Sequence, residues 1–215
     1  MRRIFLLSPA HCRGRRAQLV LRTQARFDLA RRLRAKGAPL GELFTFLSGL
    51  YFRGKLAYAR AFADPPRACP GVLVVTPCRG LLLPRTLISA EGFREFAATE
   101  IGTGIEAYAR PLARDARRLA RRAGPATEFV LLGSIATDKY LGVLLEALGP
   151  RLVFPRDFVG RGDMSRGGLM LRRAEDGDEL AYIPVEGAVL HGKKPPKLPP
   201  RRRPAPPLRR GKRAS

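Results

Sequence analysis

Four short apolar runs, Ile4–Ser8, Val72–Thr76, Glu128–Leu132 and Leu152–Phe154, restrict the fold more than any other feature of the chain. Each is too brief for a helix and lacks the in-out alternation of a half-wet strand, so each reads as a strand covered on both faces. Segments of helical period lie between them. Thr23–Lys36 gathers Leu29, Ala30 and Leu33 on one face, with Thr23 as N-cap and Gly37 as stop. Arg110–Ala123 places Leu112, Ala116, Leu119, Ala120 and Ala123 on one face, Pro111 in the first turn and Gly124-Pro125 after the end. Its other face, Arg114, Arg117, Arg118, Arg121 and Arg122, reads as solvated. Thr137–Leu148 turns Leu141, Leu144, Leu145 and Leu148 inward. Strands alternating with helices predict an α/β fold, a single three-layer domain with a mixed or mostly parallel sheet over residues 1–190.

Charge decides what such a domain attracts. The chain carries 41 Lys and Arg against 18 Asp and Glu, a formal +23. Ten of the basic side chains and none of the acidic ones fall in 191–215, where KKPPK and RRRPAPPLRR alternate with proline pairs. That composition cannot bury a core and reads as a disordered Pro/Arg/Lys-rich tail. A polyanion that releases counterions on contact is the favoured partner, nucleic acid above all. No run reaches the roughly twenty apolar residues of a membrane span, and Ile4–Leu7 is shorter than the roughly seven residues of a secretory h-region. Cys12, Cys69 and Cys78 are odd in number and lack CxxC spacing, so neither a disulfide framework nor a zinc knuckle is expected. The expectation is a cytoplasmic protein, free or associated with the nucleoid, without membrane partner, metal or cofactor.

Three stretches carry candidate chemistry. GSIATDKY, 133–140, presents Gly133, Ser134, Thr137 and Lys139 where a strand passes into a helix, and unpaired N–H groups there suit an anion. A plain helix cap has the same spacing, and no GxxxxGK[ST] or GxGxxG is present to make it a nucleotide loop. DFVGRGDMSRGG, 157–168, reads as a contact loop: Gly160 and Gly162 let backbone approach a ligand, while Arg161, Ser165 and Arg166 supply donors for phosphate. A β-bulge or hairpin is the alternative use of those glycines. Asp157 and Asp163 are the acids nearest that loop and the general-base candidates if the chain is an enzyme. FLSGLYFRGKLAYARAF interleaves bases with aromatics, as in surfaces that stack nucleobases, with ambiguous secondary structure. Phe44, Phe46 and Leu50 are expected inside, and Tyr51, Arg53 and Lys55 outside, with Arg53 and Lys55 on phosphates. Cys12, followed by Arg13, Arg15 and Arg16, has two readings, a buried inert thiol or one of lowered pKa.

Several of these pieces, in order, resemble the YaaA-like proteins of bacterial peroxide resistance. LLSPAH at 6–11 resembles the family's ISPAK, FRGKLAYARAF at 52–62 its FKGDVYTGL region, and TPCRGLLLP at 76–84 its LSGLYGVLRP. GSIATDKY is similar to NLASDEYF, and GRGDMSRGG at 160–168 to KKARGLMSRF. VVTPCRGLLLPRTL also resembles the SPLGLVPREL segment of the glycosylase-like domain of archaeosine synthases. The likeness spans residues 6 to 170 and departs from the family at His11, which stands where ISPAK has lysine, and in the Pro/Arg tail. It implies a YaaA-like, uracil-DNA-glycosylase-like core that binds DNA and, in the YaaA branch, limits oxidative damage; it supplies no catalytic set. Charge and likeness together predict a nucleic-acid-binding protein, DNA before RNA. The alternative is an enzyme acting on a nucleobase or nucleoside, by glycosidic cleavage or base modification.

Overall fold

The computed structural model describes residues 1–102, 104–135, 138–188, 192, 195, 196, 198 and 199. Of the tail expected at 191–215, almost all lies outside the described residues. The chain opens with strand β1 (Arg2–Leu7) and runs through α1 (Arg15–Leu21), α2 (Asp28–Ala35), β2 (Ala38–Pro39), α3 (Leu40–Ser48) and α4 (Leu50–Phe62). Then come β3 (Val72–Val75), β4 (Leu81–Leu82), β5 (Leu87–Ile88), α5 (Ala90–Ala98) and α6 (Glu106–Ala123). β6 (Thr127–Leu132), α7 (Asp138–Leu148), β7 (Leu152–Pro155), α8 (Asp163–Asp176) and β8 (Tyr182–Pro184) complete the order.

Among the described residues, six strands form one mostly parallel sheet in the order β4-β3-β1-β6-β7-β8, its edge strands β4 and β8 antiparallel to their neighbours. β2 and β5 pair separately. Successive residues Ile4–Leu7 and Phe129–Leu132 are all buried, which requires cover on both faces. Each such side chain contributes about 1.5–3 kcal/mol by leaving water. The route from β1 to β3 steps toward one edge of the sheet, and that from β6 to β7 toward the other. Connections of the usual right hand therefore put α4 on one face and α7 on the opposite face. α6 packs on α7, and α4 packs on α8.

Several boundaries differ from the sequence reading for local reasons. The helix expected over Thr23–Lys36 is shorter, starts at Asp28 after an extended Phe27, and follows a further helix, α1, that the pattern did not reveal. Pro111 is not in the first turn: α6 begins at Glu106, and Leu112 and the alanines lie inward while the arginines lie outward as expected. The ambiguous 44–62 stretch becomes two helices because Gly49, at φ 58°, takes a left-handed conformation that breaks the run. The contact loop expected at 157–168 is largely absent. A 3-10 turn at Arg156–Phe158 leads into α8, which already includes Ser165, Arg166, Gly167 and Gly168.

Gly167 serves packing. A Cβ on Gly54 of α4 would lie 2.6 Å from the carbonyl oxygen of Gly167, and one on Gly167 would lie 2.8 Å from that of Leu50. The two backbones thus touch directly. A lattice of hydroxyls fixes the far end of α4: Leu180 N donates to Tyr58 Oη at 2.7 Å, Tyr58 and Tyr182 share a hydrogen bond at 2.8 Å, and Tyr182 donates to Glu179 at 2.8 Å. Gly54→Ala is expected to lower stability by about 1–3 kcal/mol in urea unfolding, since a methyl must push two helices apart. Gly168→Ala, whose methyl would meet Leu198 at an ordinary 3.6 Å, is expected to be neutral or slightly stabilising.

Candidate functional site

The connections leave β1 and β6 in opposite directions, so the crevice beyond the C-terminal ends of these neighbouring strands is the switch point at which open α/β sheets take ligands. Ser8 follows β1 there, and Gly133 follows β6. A Cβ on Gly133 would lie 2.7 Å from Tyr140 Oη and 2.9 Å from Ser8 Oγ, so only a hydrogen fits where these hydroxyls converge. Gly133 therefore serves close packing of two strand ends. Tyr140 Oη donates to the carbonyl of Ser134 at 2.6 Å.

From α4, Lys55 reaches the same point. Its Nζ lies 2.6 Å from Ser8 Oγ and 3.2 Å from the Ser8 carbonyl, and 4.1 Å from the centre of the Tyr51 ring. Lys55 is 1% exposed and Ser8 5%. Tyr51, Gly54, Lys55 and Tyr58 recur at helical spacing and form the buried stripe of α4. This corrects the expected partition: Tyr51 and Lys55 are inside, whereas Phe46 and Leu50 are only half-buried. Arg53, on the opposite side of the helix, is exposed as expected. No carboxylate pairs with Lys55 among the described residues. Burial therefore lowers its pKa to about 7, Asp163 opposing the shift and Arg166 adding to it.

Arg166, 12% exposed, forms the outer wall. Its Nε and Nη2 donate to the Phe158 carbonyl at 3.2 and 3.0 Å, and its Nη1 stands 3.8 Å from Asp163, which is 66% exposed. The guanidinium sits beside Tyr51, whose buried Oη closes no hydrogen bond of proper geometry. Burial above all pushes the Tyr51 and Tyr140 phenols up, with Arg166 opposing the shift in both. Residues far apart in sequence, Gly133 and Tyr140 on one side and Asp163 and Arg166 on the other, thus converge on one polar cluster.

The other proposed contacts distribute differently. Arg161 folds back onto its own turn, donating to the Asp157 carbonyl at 3.0 Å and to Ser165 Oγ at 3.2 Å. Gly160, at φ 72°, shapes that turn, and Gly162 is the exposed N-cap of α8. Of the two acids, Asp163 lies within electrostatic range of Lys55, while Asp157 is half-buried at the 3-10 turn. Thr137 lies outside the described residues. Lys139 is exposed and, with His11, Arg13, Thr99 and Glu100, lines a cleft of about 250 Å³ next to Ser8's loop. Arg16 and Arg53 line another groove of about 500 Å³. Cys12 is the inert alternative: buried, it donates to the Ala10 carbonyl, and desolvation, followed by Cys78, pushes its thiol up to about 12. Burial rather than the neighbouring arginines governs this thiol, against the lowered-pKa reading. Ser8 and Tyr140 were missed as site residues. The one signal for Ser8 was a lone hydroxyl directly after an unbroken apolar strand.

Among the described residues no group of three His, Cys, Asp or Glu side chains is placed to hold a metal ion, and no helix is long and apolar enough to cross a membrane. What the geometry defines is an α/β protein with a polar, cation-walled cluster at the switch point of a mostly parallel sheet. No protein-family profile, curated protein or solved structure matches the chain.

The folded Lys55 amine, near 7, stays far below its unfolded value of 10.5. Between these values the unfolded state holds the extra proton, so stability rises with pH across that window. Below pH 7 both states are charged and the folded one bears the full desolvation cost. The gain in unfolding free energy from pH 6 to pH 9 is therefore expected to be larger, by kcal/mol amounts, for the native chain than for Lys55→Met. Equal gains would show that Lys55 titrates normally.

Proposed function

We propose that this chain binds nucleic acid, DNA before RNA, across the C-terminal edge of the sheet, where the central strands β1 and β6 end. What supports the reading is the cationic lining of separate surface features: Arg13 and Lys139 line one cleft together with Glu100, Arg16 and Arg53 line another groove, and Arg166 walls the buried cluster. With +23 over 215 residues, a phosphate backbone laid along this edge exchanges its counterions for fixed charge. Ser8, Tyr51 and Tyr140 add hydroxyls that can meet phosphate or base edges. The short-motif likeness to YaaA-like proteins supports DNA as the ligand, a uracil-DNA-glycosylase-like core as the fold, and protection from oxidative damage as the setting.

Binding to duplex DNA is expected to weaken with salt at a log–log slope of about −5 or steeper, the signature of six or more neutralised phosphates. Deleting residues 193–215 should reduce affinity while leaving a salt-dependent site. Replacing Arg13, Arg53 and Lys139 together by glutamine should flatten the slope by about two to three, as measured by fluorescence anisotropy from 50 to 300 mM salt. A flat response in the native chain removes the proposal.

A further inference from the structure

Lysine is almost never fully buried without an anionic partner, because desolvation of the ammonium is so costly. Here the amine meets a serine hydroxyl at 2.6 Å and that serine's own carbonyl at 3.2 Å. A neutral amine satisfies both at once: one N–H donates to the carbonyl, and the nitrogen lone pair accepts from Ser8 Oγ–H. That is the geometry of an activated hydroxyl with a lysine base. A second, independent observation points to a ligand, namely the buried Tyr51 Oη, which closes no hydrogen bond of proper geometry although the Arg166 guanidinium lies beside it.

We propose that Ser8 is the nucleophile of a phosphodiester-cleaving centre in which Lys55 accepts the serine proton and Tyr140 protonates the leaving oxygen. The choice of phosphodiester rests on the nucleic-acid reading above. Ser8 Oγ bonds to phosphorus and one P–O ester bond breaks. The Ser8 proton passes to Lys55 Nζ, and the departing alkoxide takes the proton of Tyr140 Oη. Water then attacks the phosphoserine; its proton restores Tyr140, the Oγ–P bond breaks, and Lys55 returns its proton to Ser8. The sum is phosphodiester plus water giving phosphomonoester plus alcohol. Arg166 and Tyr51 are donors for the phosphoryl oxygens. The groups facing Lys55 are Ser8 from the end of β1, Tyr51 from α4, and Asp163 and Arg166 from α8, so a lysine free of its proton near neutral pH is consistent with its surroundings.

The test uses the full chain and two probes in the presence of a chelator. A fluorophosphonate, from which Ser8 displaces fluoride, should add to Ser8 by peptide mass mapping, faster at pH 8 than at pH 6. End-labelled DNA should be cut to fragments bearing a terminal phosphate. Ser8→Ala should abolish both, and Lys55→Met should slow labelling at least a hundredfold at pH 7.5. Tyr140→Phe, which removes a single hydroxyl, should keep the labelling and lose DNA cleavage at least a hundredfold. Melting curves identify any variant that fails to fold, and Tyr140→Phe then carries the decision. An unlabelled Ser8 in the folded chain overturns the proposal, as does DNA cleavage that survives Ser8→Ala. DNA that is bound but not cut overturns it while sparing the binding reading, whereas DNA that is not bound removes the binding reading and the phosphodiester substrate together.

Discussion

The contact of Gly54 with Gly167 is the constraint on which the site depends. Two helices from distant parts of the chain approach until backbone meets backbone, a separation that no side chain larger than hydrogen permits. That approach places Tyr51 and Lys55 of α4 against Arg166 of α8. It also presses Lys55 toward the end of β1, where Ser8 meets it. A similar economy of space operates at Gly133, where the missing Cβ leaves room for the Ser8 and Tyr140 hydroxyls.

Charge is organised by carbonyls as well as by carboxylates. With acids scarce, several arginines also donate to backbone oxygens at or near helix ends. Arg13 reaches the carbonyls of Ala97 and Ala98 at the end of α5, Arg34 those of Arg22 and Ala25, and Arg151 that of Gly124 after α6. These contacts neutralise partial charges while the guanidinium keeps its full charge. The surface therefore stays cationic even where arginines are structurally engaged. Ion pairs such as Arg79–Glu95 and Arg32–Glu42 are solvent-exposed and contribute little individually.

A buried amine at the switch point contrasts with that surface. Outside, positive charge is cheap because water and salt screen it. At Lys55 neither is present, and the amine is drawn toward its neutral form. One fold thus holds long-range cationic attraction at its rim and a proton-accepting nitrogen at its centre.

The apolar runs at 4–8, 72–76, 128–132 and 152–154 determined by themselves that the chain builds a buried, mostly parallel sheet, because their period and length admit little else. The same is true of the arginine face of α6 and of the Leu-lined α7. Sequence could not decide the partition of 44–62, since bases and aromatics alternate there and the break depends on the left-handed conformation of Gly49. Nor could it show that 160–168 holds the start of a helix, where glycines serve close packing as readily as a loop. That Lys55 is buried, and that Ser8, Tyr51 and Arg166 gather around it, was decided only by tertiary structure: local pattern specifies which face of an element turns inward, but not which distant backbone it will touch.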